Sequence, residues 1–257
     1  MNKLTNVFNH NSNLLSIYFT AGFPNADSTL HVLKALEQGG TDFVEVGIPY
    51  SDPLADGPVI QNSSSRALAN GMSLKMLFDQ LKELKNTVNI PVILMGYLNP
   101  ILKFGIESFI ENCRQVGVSG LIIPDLPYEI YLEKYQTLFE QNNISNIFLI
   151  TPQTGEERIR KLDRASTSFL YMVSSAAVTG VRDGLSESQI QYFERIKNMQ
   201  LKTPAMVGFG ISNHKTYREV CRYAHGAIVG SAFIKHLETH GDDASEIIKF
   251  VKNLKNN

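Results

Sequence analysis

Residues 43–47 read FVEVG, and the chain runs on as IPYSDPLADGP through residue 58. The first five residues are apolar or glycine except for Glu45. That is the composition of a short strand covered on both faces, with a single carboxylate set into it. The continuation carries three prolines and two aspartates, the composition of a loop.

Seven further short runs have the same character. They are LLSIYF (14–19), PVILM (91–95), GLIIP (120–124), NIFLI (146–150), FLYMV (169–173), PAMVG (204–208) and GAIVG (226–230). Amphipathic stretches separate them. A first helix is expected from about Ser28 to Gln38, stopped by Gly39-Gly40. Leu74, Leu77, Leu81 and Leu84 share one helical stripe, and Leu132, Tyr135, Leu138 and Phe139 are expected to form another. Eight strand-plus-helix units point to an α/β fold, a closed (β/α)8 TIM barrel. No linker or composition shift divides the chain, so residues 1–257 are expected to form a single domain.

Most strands begin 22–35 residues apart, but the second unit, counted from 43 to 92, takes 49, and SSAAVTGVRDGLSES (174–188) makes another long connection. In such a barrel the chemistry sits on loops that follow strand C-termini, and two of those loops are enlarged here.

The bulk properties exclude several classes. A chain of 257 residues, 43% of them hydrophobic, can fill a core without metals or disulfides. A formal net charge of −1 with no basic run gives no footprint for nucleic acid. The opening MNKLTNVFNHNSN lacks the apolar segment of a signal peptide, and no apolar run approaches the roughly 20 residues of a membrane span. Cys113 and Cys221 stand far apart and read as reduced helix residues. A cytoplasmic protein with neither membrane nor nucleic-acid partner is expected.

Alternation places Phe43, Glu45 and Gly47 on one face of their strand, toward the barrel interior near its upper rim. Desolvation there raises a carboxyl pKa toward the range useful for acid/base work. The alternative is a glutamate neutralised by a buried Lys or Arg, yet none of the eight runs contains either. Asp56, in ADGP, taken alone reads first as a turn aspartate; its position on a loop that can swing over the barrel mouth is what makes it a candidate. Asp52, in SDP, is the more ordinary turn residue. GFGIS (208–212) and GSAFIK (230–235) follow the seventh and eighth runs, where barrels commonly bind phosphate, and VTG (178–180) could add donors from loop six. No strand carries a lysine for Schiff-base chemistry. None of the histidines at 10, 31, 214, 225, 236 and 240 belongs at the upper rim, so no metal-ligand set is expected there. Cofactor-free proton transfer on a phosphorylated small molecule remains.

These motifs carry a resemblance over essentially the whole chain. YFTAGFP (18–24), FVEVGIPYSDPLADGPVIQ (43–61), RAL (66–68), NP (99–100), PDLP (124–127), VTGVR (178–182), GFGIS and GSA (230–232) resemble the α-subunit family of the tryptophan synthases. The resemblance implies a barrel lyase that cleaves indole-3-glycerol phosphate to indole and glyceraldehyde 3-phosphate without metal or cofactor. It implies Glu45 as the acid/base and Asp56 as the second catalytic carboxylate, accepting the indole N–H. Tyr18, Ile60 and Tyr171 fall at positions lining the indole pocket or supporting the carboxylates. Thr179 falls at the loop-six position that orders Asp56. Gly180, Gly208, Phe209, Gly210, Gly230 and Ser231 fall at phosphate positions. The implied partner is a β subunit carrying pyridoxal phosphate, in an αββα complex, with Asp52, Pro53, Leu54, Asn99 and Pro100 as interface candidates.

Two departures stand out: Ala177 where a glycine is usual, and LMGYLNP (94–100) where LMTYYNP is usual. Other readings of the residues are another phosphosugar isomerase or epimerase, a stand-alone lyase releasing indole, and a non-catalytic regulator of a β subunit.

Overall fold

The computed structural model describes residues 2–10, 12–53, 56–174, 184–208 and 210–256. Eight parallel strands close into one barrel in sequence order. They are β1 (Leu14–Thr20), β2 (Phe43–Gly47), β3 (Val92–Met95), β4 (Gly120–Ile122), β5 (Ser145–Ile150), β6 (Leu170–Val173), β7 (Ala205–Gly208) and β8 (Gly226–Val229). Each coincides with one of the apolar runs. Pro91 and Pro204 fall just outside β3 and β7, where their carbonyls accept from the N–H groups of Val44 and Leu170 and no ladder N–H is required of them.

Alternation along the strands builds two separate apolar layers. Leu14, Tyr18, Phe43, Ile93, Ile122, Ile147, Phe169, Tyr171, Met206 and Ile228 pack together in the interior. Their neighbours Leu15, Ile17, Val44, Val46, Leu94, Leu121 and Val207 join the layer shared with the helices. The helix Lys3–His10 closes the floor: Phe8 meets the rings of Phe43 and Phe169 at centroid distances of 5.9 and 5.3 Å.

The first strand-to-strand crossing helix spans Ser28–Gly39, and Gly40 stops it with φ +93°. Gly39 lies against the C-terminal helix Ala244–Asn256, where a Cβ would meet Val251 Cβ at 2.8 Å. The long second unit owes its length to an added helix, Pro58–Ala69, inserted before the leucine-striped segment. That segment is itself broken into Leu74–Gln80, a 3₁₀ turn and Leu84–Thr87, with Leu77, Leu81 and Leu84 buried as expected.

The fourth-unit stripe needs one correction. Phe139 is buried and Tyr135 and Leu138 are partly so, but Leu132 is 37% exposed and Tyr131 takes the buried place. A wide π turn over Tyr131–Tyr135 adds a residue to that turn of the helix, so a stripe counted at 3.6 residues per turn falls one position out of phase.

Closure depends on Gly226, paired with Leu14: a Cβ there would lie 2.0 Å from the Leu14 carbonyl oxygen, in rigid backbone. Gly226→Ala is expected to cost at least about 3 kcal/mol in urea unfolding; a loss under about 1 kcal/mol would show that the β1–β8 seam yields.

Candidate active site

Glu45 sits at the centre of β2, level with Tyr18 of β1 and Ile93 of β3, and is fully buried. Neither carboxylate oxygen has a hydrogen-bond partner among the described residues. No Lys or Arg among the described residues neutralises it. Burial alone pushes its pKa up to about 8, since an ionised carboxylate is costly where nothing replaces water. At neutral pH the group is mainly protonated and can give a proton away.

Two tyrosines flank it, and each owes its place to a glycine. A Cβ on Gly47 would meet the Tyr18 hydroxyl at 2.1 Å, and a Cβ on Gly208 would meet that of Tyr171 at 2.1 Å. Gly208, expected at the phosphate, thus also makes room for Tyr171. Both phenols are pushed up, first by burial and then by the nearby carboxylates: Asp56 before Glu45 at Tyr18, Glu45 before Asp56 at Tyr171. Tyr18, Tyr171, Glu45 and Asp56 therefore share one electrostatic neighbourhood.

Asp56 closes that group from above. Gln61 Nε2 donates to its backbone carbonyl at 2.7 Å, and the Tyr97 hydroxyl donates to Oδ2 at 3.3 Å. Burial raises the Asp56 pKa, and the Tyr97 hydrogen bond works in the opposite sense. The loop ends sharply because Gly57 caps the helix Pro58–Ala69 with Pro58 in its first turn, a favoured place for proline. That helix delivers Ile60, buried in the interior cluster with Tyr18 and Tyr171. Thr20 and Ser63 share a 2.6 Å hydroxyl contact, and Ser63 donates to the Ile60 carbonyl at 2.8 Å, fastening the helix to the end of β1.

Sequence reasoning missed Tyr97, Thr20 and Ser63. Tyr97 carries a signal, being an aromatic at a strand end inside the LMGYLNP departure. The departure itself has a physical basis: a Cβ on Gly96 would come within 2.8 Å of Ile48 Cδ1 and 3.0 Å of its Cβ. Thr20 and Ser63 are small hydroxyl residues with no local pattern to single them out.

Of the phosphate candidates, Gly208 ends β7, and Gly210 follows with φ +79°. Gly230 precedes the helix Ser231–His240, whose N-terminus has no side-chain cap. Phe233 N–H already donates to the Gly230 carbonyl, so only the N–H groups of Ser231 and Ala232 could face an anion there. Thr179, Gly180 and Phe209 lie outside the described residues, as do Leu54 and Ala177. Among the interface candidates Asp52 and Asn99 are exposed, while Pro53 and Pro100 are half-buried. Asn99 and Pro100 lie in the first turn of the helix Leu98–Phe104, which starts where Asp125 accepts the Leu98 N–H at 2.8 Å.

Folding favours the protonated form of Glu45, because its folded pKa of about 8 exceeds the ordinary 4.5. Its contribution to stability is complete below about pH 4.5 and is lost as pH rises through about 8. Relative to Glu45→Gln, the protein is expected to lose up to about 1.4 kcal/mol per pH unit across that window. Parallel stability–pH curves for the two proteins would mean that Glu45 is solvated.

The sequence pattern of the family described as "Tryptophan synthase alpha chain" matches residues 4–257. The tryptophan synthase alpha chain of Christiangramia forsetii is 52% identical over 255 residues, covering 99% of each chain. Among solved structures, the tryptophan synthase alpha chain of Legionella pneumophila superimposes with a TM-score of 0.86 at 32% identity, covering 99% of this chain and 96% of that one. A chain of the tryptophan synthase complex of Pyrococcus furiosus gives 0.83 at 33% identity, covering 95% and 98%. With a full-length family match, a relative more than half identical and the same closed barrel, the chain belongs to the tryptophan synthase alpha chain family.

Proposed function

We propose that this chain is a lyase that cleaves indole-3-glycerol phosphate to indole and glyceraldehyde 3-phosphate, in the last steps of tryptophan biosynthesis. The observation that carries the reading is Glu45: a buried carboxyl with no partner among the described residues, held protonated at neutral pH beside a second carboxylate, Asp56.

The C–C bond to be broken joins indole C3 to the glycerol chain. Glu45 gives its proton to C3, which turns the ring into a leaving group. Asp56 accepts a hydrogen bond from the ring N–H and stabilises the positive charge that develops there. The Glu45 carboxylate then removes the proton of the adjacent glycerol hydroxyl as the C–C electrons return to the indole and the carbonyl forms. One proton is given and one taken back, so the step needs no electron carrier and leaves Glu45 ready for the next turnover. This is the basis for proposing a chain without a resident cofactor. Tyr18, Ile60 and Tyr171 wall the indole, and Gly208, Gly210, Gly230 and Ser231, with Thr179, Gly180 and Phe209, receive the phosphate.

The proposal includes a pyridoxal-phosphate-bearing β subunit as partner, in an αββα assembly, with the whole chain acting as one domain in the cytoplasm. Asp52, Pro53, Leu54, Asn99 and Pro100 would form the contact. Leu102, on the same helix as Asn99 and 47% exposed, is an apolar group that such a contact would cover. No helix among the described residues is long and apolar enough to cross a membrane.

The test is indole release from indole-3-glycerol phosphate, alone and with a β subunit. Glu45→Gln is expected to lower kcat by at least about 10²-fold; retention of turnover removes Glu45 from the acid/base role. The rate should fall as pH rises through about 8, where Glu45 loses its proton. It should also fall at low pH, where Asp56 becomes protonated. Tyr97→Phe removes the hydrogen bond that lowers the Asp56 pKa, so the acid limb should move to higher pH; an unmoved limb would dissociate Asp56 from it.

A further inference from the structure

We propose that His236, His240 and Glu246 form a binding site for one divalent transition-metal ion of the zinc or nickel class, joining the helix after β8 to the C-terminal helix. His236 and His240 stand four residues apart on the helix Ser231–His240, so their rings share one face, with centroids 4.5 Å apart. Glu246 lies in the first turn of the helix Ala244–Asn256, across a connection of only three residues. One donor atom from each of the three side chains lies within 4.8 Å of the others.

The half-buried His236 is held by a hydrogen bond on one ring nitrogen. Its Nε2 lies 3.1 Å from the Glu246 backbone oxygen, which can only accept, so the ring donates there and keeps its lone pair on Nδ1. A histidine whose second nitrogen donates to a carbonyl is the usual support of a metal-bound imidazole. Phe233 stacks on the ring at 6.3 Å and Phe250 packs against it at 4.9 Å, fixing its plane.

Two imidazoles and one carboxylate suit zinc or nickel, whereas magnesium and calcium prefer an all-oxygen shell. Ligand atoms bound at about 2.0–2.1 Å must approach within about 3.3 Å of each other. His240 and Glu246 would therefore turn inward, and both are partly exposed and free to do so. Glu246 would leave Lys249, whose ammonium lies 3.5 Å away on the surface. The carboxylates of the connection are already engaged, Asp242 with Ser28 and Asp243 with the backbone of Ser245 and Glu246, so water completes the shell. The two histidines lie on the C-terminal half of a helix whose other end is Ser231, about 8 to 14 Å along the helix from the proposed phosphate end. The ion is thus a clamp between two helices and takes no part in the cleavage.

The experiment uses the full, untagged chain after chelator treatment, titrated with Zn2+, Ni2+ and Mg2+ by calorimetry, with thermal unfolding in parallel. The expected result is one saturable Zn2+ or Ni2+ site that raises Tm, with no Mg2+ counterpart. His240→Ala and Glu246→Gln alter exposed or half-exposed side chains and should each weaken the binding by more than about tenfold. Their indole release and circular dichroism should match those of the parent chain. Absence of a saturable Zn2+ or Ni2+ site, or undiminished affinity in both variants, would overturn the assignment.

Discussion

The desolvation of Glu45 is the constraint around which the upper half of the barrel is arranged. A buried carboxyl with no counter-charge among the described residues is favoured in its neutral form, and that form is the proton donor the proposed cleavage needs. A lysine or arginine at any neighbouring inward position would stabilise the ionised state and remove the donor. The interior instead surrounds Glu45 with aliphatic and phenolic groups, among them Ile93, Tyr18 and Tyr171. The phenols in turn fit only because β2 and β7 end in glycine. The ionisation state of one residue thus limits what several strands can carry.

The two carboxylates are held by different means. Glu45 is fixed by the β2 ladder, which no side chain can shift without disturbing both neighbours. Asp56 depends on a side-chain hydrogen bond from Tyr97 and a tether from Gln61, beyond the end of the strand. This division suits a site in which one group must remain dry and the other must meet a substrate arriving from solvent. It also explains the added helix Pro58–Ala69, whose buried Thr20–Ser63 contact anchors the far end of the loop to β1.

The fold was legible because every strand is buried on both faces and so reads as a continuous apolar run, and because glycine pairs and leucine stripes punctuate the helices. Glu45 stood out for the same reason, as the one carboxylate within a run. Asp56 did not: ADGP is turn chemistry by composition, and only family resemblance and its contact with Tyr97 distinguish it. Leu132 misled because a π turn leaves no mark in local composition and shifts the helical phase by one. Tyr97, Thr20 and Ser63 were hidden because their partners are distant in sequence, as with Tyr97 and Asp56, 41 positions apart. His236 and His240 lie away from the upper rim and Glu246 carries no local signal; proximity across two helices is what makes them a group.

The floor of the barrel carries a consequence for how the chain assembles. Phe8 belongs to the first helix yet rests on Phe169, which leads into β6, so this helix acquires its final neighbours only after about 160 further residues exist. Contacts between such distant segments are slow to form, since a large loop must close first. Until then the amphipathic opening helix has its apolar face uncovered, and any domain fused ahead of it must leave that helix free to dock late. A helix that precedes every strand in the chain is therefore among the last elements to find its place.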